Sequence, residues 1–547
     1  MKVSNTNTTR DFVIVGSGFG GSPPALRLSE KGYRVLVMER GMRFEDKDFP
    51  KSNWNVRKYL WMPILRLYGM MHIDFFRHVL VLHGSGVGGG SLVYGNVLVE
   101  PSDAMYTSPA WSRFHDWKSL LAPHFATAKR MLGVAPNPKL WPADRAMQKI
   151  AEYLGKGHTF CPAPVGTFFG EAGKTVPDPY FGGKGPDRTG CTHCGGCMIG
   201  CRVGAKNTLV KNYLYLAERS GAEIWAETEV RDIRPLAPGQ SDGARYEVVC
   251  RSSTQWIKKE YIVRTRSVII SAGTLGTLRL LFRLRDVLGS LPKISDHLGR
   301  TVRTNSEALL GSTARSVTFD YSKGVAITSL FHPDEVTTVE PVRFPAGSSS
   351  MRLLSGPVVD PGGLLVSRLA KILGNIIFHP IDFAKTHFMP GWANRTTILL
   401  VMQTVETCIR LRLGRSVLTL WKRGLVSEAS AGYPAVGRIN IAHKVLRMFS
   451  VFTDGIRAES WNEGVANIPT TAHILGGVPF GSSSEEGVIG LDFQMHGHPG
   501  LYVVDGSVVP ANPGFNPSLT ITALAEFFAS QIPKKCGSPQ CSPAGML

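Results

Sequence analysis

Residues 11–39 read DFVIVGSGFGGSPPALRLSEKGYRVLVME, and this stretch decides the fold. A short apolar run at 11–15 is typical of a buried strand. It leads directly into Gly-Ser-Gly-Phe-Gly-Gly at 16–21, which fits the pattern G-x-G-x-x-G. An apolar helical pattern follows, and then a second strand at 34–38. Strand, glycine loop, helix and strand together predict a βαβ unit that binds a dinucleotide.

Each conspicuous residue of this unit has a physical role. Gly16 makes the tight turn, Gly18 lets the backbone approach a pyrophosphate, and Gly21 allows close packing of helix on strand. Glu39 ends the second strand, where a carboxylate accepts hydrogen bonds from a ribose. Pro23-Pro24 is unusual because proline is tolerated only in a first helical turn, so we expect the helix to begin late or irregularly.

Length and composition limit the other possibilities. A chain of 547 residues exceeds the roughly 250–300 residues of a single hydrophobic core, so two domains are expected. The formal net charge of +19 favours anionic partners, but no nucleic-acid motif is present. No export signal or uninterrupted apolar span is apparent, which predicts a cytoplasmic protein with reduced cysteines.

A second glycine-rich loop narrows the choice of dinucleotide. His83-Gly84-Ser85-Gly86-Val87-Gly88-Gly89-Gly90-Ser91-Leu92 follows another apolar run. A nicotinamide dehydrogenase needs one such loop, whereas a flavoenzyme needs backbone close to both the diphosphate and the isoalloxazine ring. The second loop therefore favours FAD. His83 is a weak candidate for covalent flavin attachment.

With these motifs the sequence resembles the glucose–methanol–choline (GMC) oxidoreductases, especially their cholesterol-oxidase-like branch. The resemblance rests on segments that stand in the family's order from residue 11 to about residue 530. They are the glycine loop with Glu39, Gly86–Val93, Ser271–Thr277, Val503–Ser507 and Asn516–Thr520.

The resemblance implies an α/β fold: a discontinuous Rossmann-like FAD-binding domain with an inserted antiparallel-sheet substrate domain. Residues 1–100, 190–300 and 460–535 would form the FAD-binding domain, 101–189 a connecting or lid segment, and 301–459 a substrate-binding cap. The tail 536–547, rich in Pro, Ser and Gly, is expected to be disordered. The implied FAD contacts are Gly16, Gly18, Phe19, Gly20, Gly21, Glu39, Gly86, Gly88, Gly89, Gly90, Ser91, Asn96, Val230, Ala272, Gly273, Asp505, Gly506, Asn516 and Pro517. Asp505 has a simple helix or turn cap as its alternative.

The candidate catalytic pair is His473 and Asn516. Oxidation of an alcohol by hydride transfer requires removal of the hydroxyl proton, and a neutral imidazole can accept it. Thr471-Ala472-His473-Ile474-Leu475-Gly476-Gly477 resembles the family's histidine segment, and Asn516 matches the second polar position. The branch also uses a glutamate for steroid isomerisation. Trp392–Thr396, where we would expect it, contains no acid, and the nearest carboxylate is Glu406.

Four of the nine cysteines form the pattern C-x2-C-x2-C-x3-C: Cys191, Cys194, Cys197 and Cys201. This spacing is that of bacterial ferredoxins and makes them candidate iron–sulfur ligands, as of a [4Fe–4S] cluster. Arg202 stands where ferredoxins have proline, and His193 or Cys161 is an alternative ligand. Zinc, structural thiols and redox disulfides remain alternatives.

The predicted function is FAD-dependent oxidation of a bulky apolar alcohol, such as a steroid 3β-hydroxyl, with electrons passed to O2 or to an acceptor protein. Flavin-dependent C=C reduction or isomerisation, and a non-catalytic electron-transfer role, are the alternatives. Leu364–Leu373 has an apolar helical face with basic neighbours, which together with the segment Tyr59–Phe76 would form a surface that rests on a membrane. This pattern is compatible with peripheral contact with a membrane or with a core helix of the cap.

Overall fold

The computed structural model describes residues 8–359, 365–430, 432–435 and 437–535. The predicted tail at 536–547 lies outside the described residues. Helices span Ser22–Glu30, Val56–Tyr59, Asp103–Tyr106, Trp117–Met131, Pro142–Tyr153, Tyr213–Arg219, Thr274–Arg283, Leu365–Phe378, Pro380–His387, Trp392–Arg395, Asn440–Phe452, Trp461–Ala466 and Ser518–Gln531.

The dinucleotide unit forms the centre of the largest sheet. In this sheet the order is Glu223–Trp225, Val35–Met38, Arg10–Val15, Glu260–Ile270, Tyr246–Ser252 and Thr228–Pro235, and Leu501–Val503 also pairs with Glu260–Ile270. Neighbouring strands pair in parallel except Tyr246–Ser252, which is antiparallel to both of its neighbours, Glu260–Ile270 and Thr228–Pro235. Helices cover the sheet, so Val13 and Ile14 are fully buried, as expected for a parallel sheet.

The helix after the first glycine loop begins earlier than the sequence suggested. It spans Ser22–Glu30, and Pro23-Pro24 lie in its first turn. Their missing N–H groups would have had no partner inside the helix there, so the prolines fit without delaying it.

A second sheet lies within residues 301–460 and is antiparallel throughout. Its strands are Thr337–Val342, Thr396–Gln403, Ala308–Ala314, Gly455–Ser460 and Ser355–Pro357, in that order. The helix Asn440–Phe452 packs on this sheet over a core that includes Phe331 and Phe449. The α/β architecture with an inserted antiparallel sheet is therefore confirmed.

Two smaller sheets join these layers. One has the order Gly424–Ala429, Cys408–Gly414, Val302–Arg303 and Leu475–Gly476, and the other Thr470–Thr471, Leu80–Gly84 and Met71–Phe75. The remaining strands are the two-residue to three-residue pairs Trp61–Met62 with Leu67–Tyr68, Val134–Pro136 with Pro164–Gly166, Cys161–Pro162 with Ser329–Leu330, and Thr175–Val176 with Arg188–Thr189. The segment around residue 473 thus lies where the two large sheets meet.

Candidate active site

A cavity of about 450 Å³ opens at the carboxyl ends of the parallel strands, where α/β sheets bind ligands. The structure brings most of the predicted site residues to its wall. They are Gly16, Gly18, Phe19, Gly20, Glu39, Gly89, Gly90, Val230, Ala272, Gly273, His473, Asp505, Gly506, Asn516 and Pro517.

Two glycines of the first loop have different tasks. An added Cβ at Gly20 would lie 2.0 Å from the carbonyl oxygen of Val504, so this glycine is required by the packing of the protein itself. A Cβ at Gly18 would meet no atom closer than 3.9 Å and would point into free space beside the cavity. Gly18 therefore leaves room for a ligand, as a dinucleotide phosphate requires.

Glu39 is already oriented at the cavity wall. One carboxylate oxygen accepts hydrogen bonds from the Ser17 hydroxyl at 2.8 Å and the Ser17 amide at 3.2 Å, and the other accepts from the Gly41 amide at 2.9 Å. These bonds hold the carboxylate at the end of the second strand, where a ribose would meet it.

Five predicted contacts lie behind the wall instead of lining it: Gly21, Gly86, Gly88, Ser91 and Asn96. A Cβ at Gly21 would come 2.2 Å from the Gly16 carbonyl oxygen, so this residue packs helix against strand. The Ser91 hydroxyl donates to the Gly88 carbonyl and accepts from the Leu209 amide, and the Asn96 amide donates to Thr167. They shape the loops that form the wall.

Asp505 lines the cavity and also caps backbone. Its carboxylate accepts from the Ser507 amide at 2.8 Å, the Gly273 amide at 3.0 Å and the Thr277 hydroxyl at 2.5 Å. Burial raises its pKa. Asp505 therefore acts as a cap, as its alternative interpretation predicted, and it holds the start of the helix Thr274–Arg283 beside the cavity.

His473 forms a hydrogen bond with a carboxylate that the sequence did not indicate. Its Nδ1 lies 2.9 Å from a carboxylate oxygen of Glu307, which is fully buried. Glu307 also accepts from the Thr471 hydroxyl at 2.8 Å and from the Ala472 amide. Because a carboxylate only accepts hydrogen bonds, Nδ1 carries the proton and Nε2 is left as an acceptor at the cavity.

Asn516 has a carboxylate neighbour as well. Its Nδ2 lies 3.4 Å from Glu340, and its Oδ1 is buried without a partner. Burial raises the pKa of Glu340 to about 8, the hydrogen bond from Asn516 opposes this shift, and the charge of Glu307 adds to it. The raised pKa favours the protonated form of Glu340, and the unpartnered Oδ1 leaves Asn516 free hydrogen-bonding capacity at the cavity wall.

The cavity continues from this polar pair into an apolar region. Its walls there are Met198, Leu309, Ile327, Val342, Phe344, Met351, Ile398 and Leu400. Most of these side chains come from the inserted sheet and its connections. Such a surface binds an apolar ring system by excluding water from it.

Sequence reasoning missed Glu307 and Glu340. Glu340 lies between Val339 and Pro341 in the strand Thr337–Val342, and Glu307 directly precedes the strand Ala308–Ala314; a buried acid at such a position signals a paired or protonated group. The positions considered for the isomerisation glutamate lie elsewhere. Glu406 pairs with Arg303 at 2.7 Å and does not line the cavity, and Trp392 is part of the core.

His83 does line the cavity, but its Nε2 bonds Asp74 at 2.9 Å. His72, Asp74 and His83 are close enough to share a metal ion. However, Arg279 pairs with Asp74 at 2.5 Å and Arg40 bonds His72 at 3.1 Å. The two guanidinium groups make this a hydrogen-bonded charge network.

The four loop cysteines are free thiols. Cys191 and Cys197 are buried, Cys201 is half-buried and Cys194 is exposed. Burial raises the pKa of Cys191 to about 12 and that of Cys197 to about 11. The loop packs against Val97, Val165, Ile327 and Leu400, two of which also line the cavity, so it adjoins the active site.

Comparisons with known proteins agree with this geometry. Models of the GMC oxidoreductase family match residues 185–286 and 436–525. A cholesterol oxidase of Acinetobacter baumannii is 45% identical over 538 residues, covering 97% of this chain and 95% of the relative. A cholesterol oxidase of Mycobacterium tuberculosis is 44% identical and covers 98% and 93%.

The chain belongs to the GMC oxidoreductase family. It is an FAD-dependent oxidoreductase acting on CH–OH donors, and the predicted cholesterol-oxidase-like branch is confirmed. The GMC fold also appears in pyridoxine 4-oxidase from Mesorbium loti, with a TM-score of 0.60 and 16% identity over 96% of this chain and 99% of that one. The strand ends, Glu39 and the space at Gly18 fit the FAD that this family binds.

Proposed function

We propose that this protein oxidises the 3β-hydroxyl of a sterol, or of a similarly bulky apolar alcohol. The observation that carries the proposal is the His473–Glu307 pair, which lies on the wall of a cavity that continues into an apolar region. The two relatives of about 45% identity, both named cholesterol oxidase, support the substrate class.

When bound, the flavin is the hydride acceptor, and side chains of the protein accept the hydroxyl proton. Nε2 of His473 accepts the proton of the substrate hydroxyl, while Glu307 holds Nδ1–H and stabilises the charge that develops on the ring. The unpartnered Oδ1 of Asn516 and its amide group orient the substrate oxygen. The apolar wall binds the ring system and keeps water away from the reacting carbon.

Isomerisation would need a carboxylate that shuttles a carbon-bound proton. Glu307 already accepts hydrogen bonds from Thr471, Ala472 and His473, and Glu340 does not line the cavity. C=C reduction and a non-catalytic electron-transfer role have no comparable support in the site.

Molecular oxygen is the proposed acceptor of the two electrons, in line with the oxidase names of the relatives. The cysteine loop offers a second destination, an iron–sulfur cluster, and this is a separate proposal about a separate site.

An apolar surface beside the cavity supports a lipid substrate taken from a membrane. On the helix Leu365–Phe378 the exposed residues Val366, Leu369, Leu373 and Ile377 form one stripe, flanked by Arg368 and Lys371. The core-helix alternative does not apply to this stripe, since Leu373 is 57% and Ile377 62% exposed.

Two other segments bear on this proposal. The next helix, Pro380–His387, packs against residues 350–354, of which Met351 lines the cavity. In the region Tyr59–Phe76, Ile64 and Leu65 are 86% and 63% exposed. An exposed apolar patch with basic neighbours is typical of proteins that rest on anionic lipid. Among the described residues, no helix is long and apolar enough to span a bilayer.

The test is anaerobic flavin reduction by a panel of alcohols: a 3β-hydroxysterol, its 3α epimer and a long-chain primary alcohol. His473→Ala should retain FAD and slow sterol-dependent bleaching of the flavin about 10²–10⁴-fold, the range of a lost general base. His158→Ala, which removes an exposed histidine outside the cavity, is the matched control. Unchanged reduction by His473→Ala, or no reduction by any sterol, would contradict the assignment.

A further inference from the structure

We propose that the loop Cys191–Cys201 binds an iron–sulfur cluster beside the flavin cavity. The spacing C-x2-C-x2-C-x3-C supplies four soft ligands within eleven residues. Two features of the folded loop point to a bound group of negative charge. They are the buried basic side chains beside the loop and the backbone N–H groups directed at sulfur.

The arrangement of the sulfurs disfavours a single zinc ion. Tetrahedral zinc with bonds of about 2.3 Å holds its sulfur ligands about 3.8 Å apart. In the described part of the chain, the only group of three potential ligand atoms within 4.8 Å of one another is His72, Asp74 and His83, so no three cysteine sulfurs are that close. A cluster places several irons between its thiolates and separates them further.

A buried lysine lies directly against the loop. Lys206 is 1% exposed, and its Nζ donates only to the carbonyl oxygens of Leu92, Tyr94 and Cys197, at 3.0, 3.0 and 2.7 Å. Within the described residues it forms no ion pair with a carboxylate. Burial of an ammonium group is costly unless an anion compensates it. Thiolates bound to a cluster would provide that anion.

A buried arginine, Arg343, directly follows the strand Thr337–Val342. Arg343 is 1% exposed, donates to the Lys323 carbonyl and the Thr328 hydroxyl, and has an Nε without a partner. Its guanidinium packs against Gly324, which pairs with Cys194. The carboxylate of Asp144, at 3.7 Å, is the acid closest to Arg343 among the ion pairs of the described residues. A buried lysine and a buried arginine therefore lie beside the loop, and the arginine has Asp144 as its acidic neighbour.

Backbone N–H groups contact two of the sulfurs, and two buried ring nitrogens nearby have no partner. The His193 amide donates to the sulfur of Cys191 at 3.4 Å, and the Ala326 amide donates to Cys197. Buried Nδ1 of His193 and Nε1 of Trp141 have no partner, and the two rings lie 5.8 Å apart. Hydrogen bonds to the sulfurs are a means by which proteins stabilise such clusters.

The site adjoins the flavin cavity. Met198 follows Cys197 and lines the cavity, and Lys206 links the Cys197 carbonyl to Tyr94, another lining residue. The statement that the cluster lies beside a flavin rests on the proposed function, whereas the statement that the loop binds a cluster does not.

The test uses the full chain purified anaerobically, with iron, acid-labile sulfide, zinc and FAD measured per chain. We expect iron and sulfide in equal, near-whole-number amounts and a paramagnetic signal after reduction with dithionite. Cys194→Ser changes an exposed ligand that the fold does not need, and should lower the iron content about tenfold or more with FAD unchanged. Cys250→Ser, which alters a buried thiol on the strand Tyr246–Ser252, should retain the iron.

Several results would overturn the proposal: no iron above background, zinc in its place, or full iron content in Cys194→Ser. The same preparations report on the proposed function through sterol-dependent flavin bleaching. Bleaching without iron would contradict the cluster alone, and iron without bleaching would contradict the alcohol oxidation alone.

Discussion

Glu307→Gln tests the histidine arrangement because it changes one atom of a buried carboxylate that accepts three hydrogen bonds. A glutamine has one accepting oxygen and one donating NH2 group. With its oxygen toward the Ala472 amide, the NH2 group would donate to Nδ1 of His473 and move the ring proton to Nε2, which could then no longer accept the substrate proton. With the amide reversed, the NH2 group would meet the Ala472 N–H at about the present 3.2 Å. Both orientations lose an interaction.

The expected cost follows from the lost charge-assisted hydrogen bond, about 1.5–3 kcal/mol, which corresponds to a roughly 10- to 150-fold slower reaction. Stopped-flow reduction of the flavin by sterol under anaerobic conditions measures this rate directly. FAD content and melting temperature should change little, since the shape of the side chain is kept. Glu406→Gln, which alters a carboxylate paired with Arg303 away from the cavity, is the control. A Glu307→Gln protein that reduces its flavin at the wild-type rate would refute the tautomer argument.

Three further substitutions test other parts of the structure. Gly20→Ala should prevent folding or FAD binding because its Cβ would lie 2.0 Å from a carbonyl oxygen, whereas Gly18→Ala should fold and lose only FAD affinity. Thermal melts and flavin content compare the two variants. Equal melting temperatures of the two variants would contradict the reasoning. Burial raises the pKa of Glu340 from 4.5 to about 8, so it contributes stability below its unfolded pKa that is lost as pH rises through about 8. The melting temperature of Glu340→Gln should therefore rise relative to that of the wild type between about pH 5 and pH 8, and the difference should stay constant above pH 8. A difference in melting temperature that is the same at every pH would contradict this prediction. Leu373→Ser combined with Ile377→Ser should reduce sedimentation with vesicles containing anionic lipid by several-fold, whereas equal sedimentation would argue against the membrane surface.

The sequence predicted the parts of this molecule that follow local rules. The glycine loop at 16–21, the strand ending at Glu39 and the turn at Asp505 have backbone requirements that short patterns express. The start of the helix at Ser22 was misjudged only because two prolines fit a first turn better than expected. Five of the implied flavin contacts, among them Gly86 and Asn96, shape the loops from behind, which a motif cannot distinguish from lining the cavity.

The partners of the two candidate catalytic residues could not be predicted in the same way. Glu307 is 166 residues from His473, and Glu340 is 176 residues from Asn516. Neither separation corresponds to a helical turn or a strand register. A single acid in or directly before a strand is a detectable signal, but its partner is set by how the two sheets meet. Only tertiary structure supplies that information.

These two pairs give the inserted sheet a role beyond covering the substrate. Glu307 and Glu340 belong to the segment 301–459, whereas His473 and Asn516 follow it in the chain and line the cavity beside the dinucleotide unit. Each candidate catalytic side chain is thus oriented by a carboxyl group from the sheet that also supplies much of the apolar wall. Most of the implied FAD contacts, among them Gly16, Gly18 and Glu39, lie outside the inserted sheet, and Asn516 is shared between the two sets. Changes in the packing of the inserted sheet should therefore affect alcohol-dependent reduction before they affect FAD content, and the two quantities measured together distinguish a displaced sheet from a lost cofactor.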